Sequence, residues 1–532
     1  MTQYDLVIIG GGPAGYHAAG LASKGGMKTA LFEVEKLGGV CLNEGCIPTK
    51  VMLNSSKLLY YANDLGTYGI FANMAGAGPD EHEVGGSIGA GFAISHGAVL
   101  ARKEKVVRSL EAGVRAGLKA AGVDIIHASA KIESRNLNGF IVSYSTGQGP
   151  AEEVAAKHIL IATGSSPVIP PIKGSGQAIE TGYAITSREA LLLPEPPKRL
   201  VIVGGGAIGL ELADYYNSAG SQVTVVELLD RAAYPLDGEV AKILVKNLQK
   251  RGVAFKFGRL VTEISSAGLN DGGGFVTIFQ SVGASVTSNP AVSANPAEST
   301  THTASANPAE SAIPAVSATT TGPANPSEPS APETLPADKV LLSVGRRPRI
   351  SDFGAENIGV LVEKGAVVTD GNMRTNIPGV FAAGDVNGKS MLAHTAYMEA
   401  GCAVSYMLGK PHIMRYDAIP SIIYTNPEAA CVGESEESAA KKGIKTKTVK
   451  IPLRYSGRYV AEVEGGDGIC KMLFDARKGT VAGVHIVGQY ASEIILSAAF
   501  MVGSKLPVET LKGMAFPHPT VGEVLRDALY EF

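Results

Sequence analysis

The sequence predicts an α/β protein with two Rossmann-like dinucleotide-binding domains and a smaller α+β domain at the C-terminal end. Three observations carry this. An apolar strand-like run, a GxGxxG turn, a helix and a second strand ending in glutamate occur near the N-terminus and recur near residue 200. The interval from the last fingerprint glycine to that glutamate is the same both times, Gly15 to Glu33 and Gly209 to Glu227. Beyond about Arg415, short strand and helix patterns alternate without a phosphate-binding turn, as in α+β domains.

The first unit opens on Tyr4-Asp5-Leu6-Val7-Ile8-Ile9, an apolar run suited to a buried parallel strand. Gly10, Gly12 and Gly15 form the fingerprint, a helix is expected to about Ser23, and Thr29–Phe32 reads as a second strand ending at Glu33. The glycines permit a tight turn and let a helix N-terminus meet a pyrophosphate, while the acid can hold ribose hydroxyls. A lone GxGxxG is weak evidence. Between two strands, with a carboxylate at this distance, it is strong. The plainer reading of Glu33 is a solvated acid at a strand end.

Gly38 to Lys50, GGVCLNEGCIPTK, is the stretch the rest of the chain serves. It places Cys41 and Cys46 in a CxxxxC loop ahead of an amphipathic helical run, Val51, Met52, Leu53, Leu58 and Leu59. Two close thiols can form a disulfide and accept two electrons. A thiolate at a helix mouth is also stabilised by the helix dipole. The alternatives are a structural disulfide, a metal half-site or coincidence. The first is disfavoured in a cytosolic protein. For the second, no other CxxC or histidine pair completes a four-ligand zinc site, so no metal is expected.

Residues 72–97, rich in Gly and Ala, read as a loop, and Arg102 to Ala120 as a charged amphipathic helix. Ile159 to Ala162 is a buried strand running into a Thr163-Gly164 turn. The second unit follows: Arg199–Val203, the fingerprint Gly204, Gly206 and Gly209, a helix, and Gln222–Glu227. Two dinucleotide sites and a dithiol suggest a relay, with one nucleotide a tightly held flavin and the other an exchangeable nicotinamide. Glu227 favours NAD over NADP, because a carboxylate binds the ribose diol and repels a 2′-phosphate. Arg231, close by, softens that preference slightly.

Residues 282–337 are of another composition, dominated by Ser, Ala, Pro, Thr and Asn, with SANPAES repeated. Too little apolar bulk is present to offset ordering entropy, so a disordered or extended surface insertion is expected. With no lysine there, it cannot be a lipoyl domain. Folded sequence resumes at Val340–Pro348, which includes Gly345, and at Thr375–Asp385, a strand ending in Gly-Asp that can set a carboxylate against a nucleotide. Strands are expected at Ile422–Tyr424, Ile469–Asp475 and Gly483–Ile486, and helices at Glu434–Lys442 and Ala491–Val502. Near the end, His518 lies between two prolines and Glu523 five residues on, where the carboxylate can orient and charge-stabilise the ring. Thr520-Val521-Gly522-Glu523 is also a capping-box pattern, and both roles can hold.

A chain of 532 residues implies several domains, and 45% hydrophobic content can fill their cores. A net charge of −3 points to neither nucleic acid nor an anionic membrane as partner. No apolar stretch is long enough to cross a bilayer and no signal peptide precedes the first glycine turn, so a cytoplasmic protein is expected. Cys402, Cys431 and Cys470 stand singly, as small buried hydrophobes do.

GGxCLNxGCIPTK, the two GxGxxG units, Thr375-Asn376-Ile377-Pro378-Gly379-Val380-Phe381-Ala382-Ala383-Gly384-Asp385 and the terminal HPTxxE together resemble the flavin-dependent pyridine nucleotide–disulfide oxidoreductases. The match runs from Tyr4 to the end, excepting 72–97 and 282–337. Glu227, Leu392-Ala393-His394 and Pro420 to Glu428 resemble the branch that oxidises dihydrolipoamide. The resemblance implies a homodimer with an FAD-binding domain (residues 1–180 and 348–415), an NAD-binding domain (181–347, carrying the insertion) and an interface domain (416–532). It implies that Cys41 exchanges with substrate, Cys46 contacts the flavin, Lys50 pairs with Glu211, and His518 with Glu523 forms an acid–base pair supplied by the partner subunit. FAD would be held by Gly10, Gly12, Gly15, Glu33, Lys50, Thr163, Gly164 and Asp385, and NAD by Gly204, Gly206, Gly209, Glu227 and Gly345. The substrate would be dihydrolipoamide on a subunit of a 2-oxo acid dehydrogenase or glycine-cleavage system. Two residues depart from the family pattern: Phe516 stands where a second histidine is frequent, and Gly522 where serine is. The competing readings are an NADPH-dependent glutathione-type reductase of the same family and an assembly protein using a flavin fold as scaffold. Reduction of mercuric ion is disfavoured, since Tyr530-Glu531-Phe532 ends the chain without a cysteine pair.

Overall fold

The computed structural model describes residues 1–70, 91–147, 150–266, 274–280 and 332–532. The first unit contains β1 (Thr2–Ile9), α1 (Pro13–Lys24), β2 (Thr29–Phe32), α2 (Gly39–Glu44), α3 (Cys46–Ala62) and α4 (His96–Ala120). It continues through β3 (Asp124–Ile126), β4 (Ser129–Asn136), β5 (Gly139–Ser145) and β6 (Glu152–Ile161). Strands run in the order β3-β2-β1-β6, all parallel, with β5 and β4 added antiparallel. Leu6, Val7 and Ile8 are fully buried, as a strand covered on both faces requires.

Helix α4 begins at His96, inside the stretch expected to be loop. His96 is buried, with Nδ1 2.7 Å from the Tyr215 hydroxyl and Nε2 2.8 Å from the Leu193 carbonyl. Satisfied at both nitrogens, this polar residue can open a helix that composition alone did not extend so far.

The second unit comprises β7 (Ser165–Pro167), α5 (Ser175–Glu180), β8 (Ala184–Ile185), α6 (Ser187–Ala190), β9 (Arg199–Val203), α7 (Ala207–Ser218), β10 (Gln222–Glu227) and α8 (Gly238–Lys250). Then come β11 (Ala254–Phe257), β12 (Arg259–Ser265), β13 (Gly274–Gln280), β14 (Glu333–Ala337) and β15 (Lys339–Leu342). A parallel sheet runs β11-β10-β9-β15-β8, and β12-β13-β14 form a separate antiparallel one. β14 corrects the expected extent of the insertion: its last residues are a paired strand, not free chain. Glu333–Ala337 alternates, with Leu335 half-buried and Ala337 buried, and Pro336 is tolerated because β14 is an edge strand. The rest of the insertion, like most of 72–97, lies outside the described residues.

After β16 (Arg346–Pro348), β17 (Val362–Glu363) and β18 (Ala366–Val367), β19 (Val380–Ala382) returns to the first sheet, parallel to the far half of β6. Helix α9 (Ala393–Met407) then packs on α1 through small residues, Ala14, Ala18 and Ala22 against Ala396, Ala400 and Ala403. The last unit contains β20 (Ser421–Ile423), β21 (Ala429–Gly433), α10 (Glu436–Lys441), β22 (Thr446–Pro452), α11 (Gly457–Glu462), β23 (Ile469–Asp475) and β24 (Thr480–Val487), then α12 (Ala491–Ser504), α13 (Val508–Lys512) and α14 (Glu523–Tyr530). Its antiparallel sheet has the order β20-β21-β24-β23-β22. One core joins three regions: Met52 and Leu53 of α3, the apolar face of α7 and α8, and Ile423, Ala429 and Val487 of this sheet. That shared core fixes α3, the helix that begins at Cys46, against α7, the helix of the second glycine turn. Among the described residues no helix is long and apolar enough to cross a membrane.

Candidate active site

The two glycine turns are built alike. Gly10 and Gly204 both sit at φ +107°, where a Cβ would lie 2.3 Å from the Ala162 carbonyl oxygen and 2.5 Å from that of Ser343. At Gly15 and Gly209 a Cβ would lie 1.8 and 2.2 Å from the carbonyl oxygens of Gly10 and Gly204, so helix and turn meet only if both are glycine. α1 and α7 start at Gly12 and Gly206 without a side-chain cap, and no atom lies within 4 Å of a Cβ built on Gly206. First-turn amides without side-chain caps at the positive end of a helix fit a pyrophosphate at both turns, the backbone being open at Gly206 and approached at Gly12 only by Gly39. Glu33 accepts from the N–H of Gly11 (2.7 Å) and of Glu35 (2.8 Å). Glu227 repeats this with Gly205 (2.6 Å) and Leu229 (2.8 Å). Each carboxylate is thereby fixed at its strand end, where a ribose diol would sit.

The cysteines lie on two helices rather than in a loop. Cys41 is inside α2 and Cys46 is the first residue of α3; Gly45, at φ −147° and ψ −109°, breaks the path between them. A Cβ at Gly45 would come within 3.0 Å of the Val40 carbonyl oxygen, so the break is held close. Asn43 ties the turn down, donating to the carbonyls of Leu37 (2.9 Å) and Gly39 (3.0 Å). Both thiols are free and half-buried, and they interact as a coupled pair. The neighbouring Cys41 thiol, the Lys50 charge and the helix amide lower Cys46 to about 7 against the opposing effect of burial. Cys41 is pushed up by its neighbour and by burial.

Lys50 lies one turn along α3 from Cys46. Its Nζ is 2.9 and 3.1 Å from the carboxylate oxygens of Glu211 on α7, and 4.2 Å from the centroid of the Tyr424 ring. Glu211 is 5% exposed and also accepts from the Tyr424 N–H at 3.0 Å. One turn on, Asp214 accepts from the Asn426 N–H at 2.8 Å and pairs with Arg251 at 2.6 Å. Two acids on one face of α7 thus hold the segment after β20 while one of them reaches the cysteine helix. The signal for Asp214 was its spacing from Glu211 in an otherwise apolar helix. Lys50→Met is expected to destabilise, by less than the roughly 3–5 kcal/mol of a fully buried pair because the Lys50 side chain is 33% exposed, since it leaves the buried Glu211 carboxylate with a single donor. A lowered denaturant midpoint checks this, and an unchanged one would show the pair to be dispensable.

Asp385 is half-buried beside Ser165, whose hydroxyl donates to it and in turn accepts from Arg346 Nε at 2.7 Å. Burial pushes this carboxyl up, and the Ser165 hydroxyl and the Arg346 charge oppose the shift. Thr163 donates to the Arg349 carbonyl (2.7 Å), Gly164 sits at φ +72°, and no atom lies within 4 Å of a Cβ built on Gly345. These residues follow the C-terminal ends of β6, β15 and β19 in the two parallel sheets. Ser165 and Arg346 were not singled out from sequence.

His518 and Glu523 meet as expected. His518 Nδ1 is 3.0 and 3.1 Å from the Glu523 oxygens, and the histidine side chain is 77% exposed. Glu523 is 5% exposed; it is held below its ordinary value by the Thr520 N–H first (3.0 Å), then by His518 and Arg526 (2.8 Å). Half of the expected capping box forms. The Thr520 hydroxyl turns instead to the Pro517 carbonyl, and Gly522 caps α14. Gly522 has room for a side chain, with only Thr520 Oγ1 near, at 3.7 Å. Among the described residues no hydrogen bond or ion pair joins His518 to Cys41 or Cys46 within the chain. Arg526, missed in the sequence, shares the carboxylate. Nor, among the described residues, does any group of three or more His, Cys, Asp or Glu side chains stand ready to hold a metal ion.

A model of the pyridine nucleotide-disulphide oxidoreductase family matches residues 4–290 and 313–400, and one of that family's dimerisation domain matches 419–529. The chain is 33% identical to a dihydrolipoyl dehydrogenase of Chlorobaculum tepidum, across 100% of this chain and 97% of that one. It is also 33% identical to dihydrolipoyl dehydrogenase 3 of Pseudomonas putida, across 99% and 98%. Among solved structures, LpdA from Mycobacterium tuberculosis has a TM-score of 0.79 at 24% identity, covering 100% of this chain and 99% of that one, a likeness of fold.

Proposed function

The chain belongs to the pyridine nucleotide-disulphide oxidoreductase family, and we propose that it works as a dihydrolipoyl dehydrogenase with Cys41 and Cys46 as its redox pair. The observation that carries the reading is Cys46 at the first residue of α3, its charge stabilised by Lys50, between two glycine turns built for dinucleotides. Held at those turns, FAD would supply a two-electron acceptor, and NAD would carry the electrons away as hydride.

The chain's own groups do the thiol chemistry. With Nδ1 committed to Glu523, the other ring nitrogen of His518 is free to take a proton from a dihydrolipoyl thiol. The resulting thiolate attacks Cys41 of the oxidised pair, the Cys41–Cys46 bond breaks, and Cys46 leaves as a thiolate. The substrate's second thiol then displaces Cys41, so a cyclic disulfide departs and both electrons remain on the cysteines. Lys50, the start of α3 and the neighbouring Cys41 thiol hold the charge on Cys46. The exposure of the His518 ring suits its delivery to the dithiol of a second subunit, which the dimerisation domain provides. The lipoyl group would be carried by a subunit of a 2-oxo acid dehydrogenase or glycine-cleavage system. A dithiol that must be kept cycling suits a reducing compartment, and we place the protein in the cytoplasm.

Anaerobic titration of the yellow protein with dihydrolipoamide tests the reading. A long-wavelength absorption from the Cys46 thiolate should appear and collapse on adding NAD. If dihydrolipoamide leaves the flavin oxidised while NADPH reduces it, a glutathione-type disulfide becomes the substrate. Steady-state kinetics should also favour NAD strongly over NADP, since Glu227 occupies the ribose end of the second turn.

A further inference from the structure

Arg231 is the cation nearest in sequence to Glu227, and it stands where it could answer a 2′-phosphate. Its backbone neighbours lie on the glycine turn: Ala233 donates to the Gly205 carbonyl at 2.8 Å, and the Ala232 methyl packs on Gly205. Its guanidinium, however, is held elsewhere. Nη1 is 2.9 Å from Glu437 on α10, and a Cβ on Gly238 at the start of α8 would lie 2.5 Å from the same nitrogen. The same Glu437 oxygen accepts from the Gly238 N–H at 3.2 Å, and the guanidinium lies 5.0 Å from the Tyr234 ring centroid.

The two helix ends are locked together by the residues immediately before Gly238 and Glu437. Lys471, 1% exposed on β23, bonds Asp237 at 2.8 and 2.9 Å and Glu436 at 2.6 Å. His485 accepts from the Asp237 N–H at 3.1 Å and faces the Glu434 carbonyl at 3.0 Å, so the junction is satisfied on each side. A buried bridge therefore fixes the spot at which an interface-domain carboxylate meets Arg231.

We propose that Glu437 is a specificity-determining positioning residue: by holding Arg231 on the start of α8, it keeps a guanidinium from the ribose 2′ position beside Glu227. Coenzyme selectivity in the second cleft is then set partly by a domain that does not form the cleft. This rests on the nucleotide reading given above, and the test separates the two. The Arg231–Glu437 pair is partly exposed, with Glu437 44% exposed, and pairs of this kind add little stability, so Glu437→Ala should fold.

The measurement is calorimetric titration of the flavin-loaded dimer with 5′-ADP and with 2′,5′-ADP. Glu437→Ala should bind 2′,5′-ADP roughly tenfold more tightly than the parent, since a freed guanidinium recognises phosphate through paired hydrogen bonds. Its 5′-ADP affinity should be unchanged. Glu437→Gln, which keeps the acceptor without the charge, should fall between, and adding Arg231→Ala should abolish the gain. No gain in Glu437→Ala, or a gain that survives Arg231→Ala, overturns the proposal while leaving the nucleotide site intact. If the parent binds neither ligand, the nucleotide reading of the second turn fails and the proposal with it.

Discussion

Cys46→Ser should have no measurable dihydrolipoamide-to-NAD turnover while keeping its fold and its flavin. Serine preserves the start of α3 and the packing, but no disulfide can form, so the electrons from a substrate thiol have nowhere to go. Retained turnover would place the redox pair elsewhere. The wild-type pair also makes a pH prediction. Cys46 is lowered to about 7, chiefly by the Cys41 thiol, with Lys50 and the helix amide adding to it against burial. The thiolate is therefore present above about 7 and lost as pH falls through it, and the long-wavelength absorption of the reduced enzyme should fade on acidification. Cys41→Ala removes the largest stabilising contribution. Its Cys46 should titrate at higher pH, an opposite displacement from what an added positive charge would cause, and spectrophotometric titration reads it directly.

Much of the scaffold was legible because it is written in local patterns. The strands Thr29–Phe32, Arg199–Val203, Gln222–Glu227 and Ile469–Asp475 fall where apolar runs and turn residues put them. The glycine turns were legible because the backbone conformation at Gly10 and Gly204 excludes other residues. The hairpin of β4 and β5 carries a weaker local signal. Asn136 pairs with Gly139, so the turn is Leu137-Asn138 and Gly139 already belongs to β5. β4 is charged and mostly exposed and β5 is half exposed, which hides their alternation. Helix α2 lies where the sequence predicts a loop, because it is six residues long with left-handed glycines at its N-cap, Gly38, and first position, Gly39, and short helices are stabilised by packing rather than propensity.

The candidate site divides along the same line. Cys41, Cys46 and Lys50 lie within one short stretch, and His518 and Glu523 within another, so spacing alone could bring each group together. Asp214 with Asn426, Ser165 with Asp385, and Glu437 with Arg231 join residues far apart in the chain. Nothing local marks such pairs. They depend on tertiary packing, and they set the charge and position of residues whose identity the motifs already supplied. The shared core of α3, α7 and the last sheet is what turns separate motifs into one site.

His518→Gln should lower dihydrolipoamide kcat/KM at neutral pH by roughly 10²–10⁴-fold, the usual loss when a positioned general base is removed. Glutamine keeps the size and can still donate to Glu523, so the loop should hold, but it cannot take a proton from the substrate. Glu523 remains a carboxylate in this variant because the Thr520 N–H, the largest cause of its lowered value, and Arg526 both stay in place. Reduction of a non-thiol acceptor such as ferricyanide by NADH needs no thiol proton and should be spared. The sign with pH follows from the substrate. As pH rises, more dihydrolipoyl thiol ionises unaided, so the defect should narrow towards alkaline pH. A defect equal for both acceptors would instead mean that the change had disturbed flavin or coenzyme binding. Turnover near the wild-type level at neutral pH would mean that the base is not His518. If the base is delivered across the dimer, a mixed dimer settles the point. Inactive Cys46→Ser and His518→Gln subunits, combined, should restore one working site per heterodimer, because one subunit keeps the dithiol and the other the base.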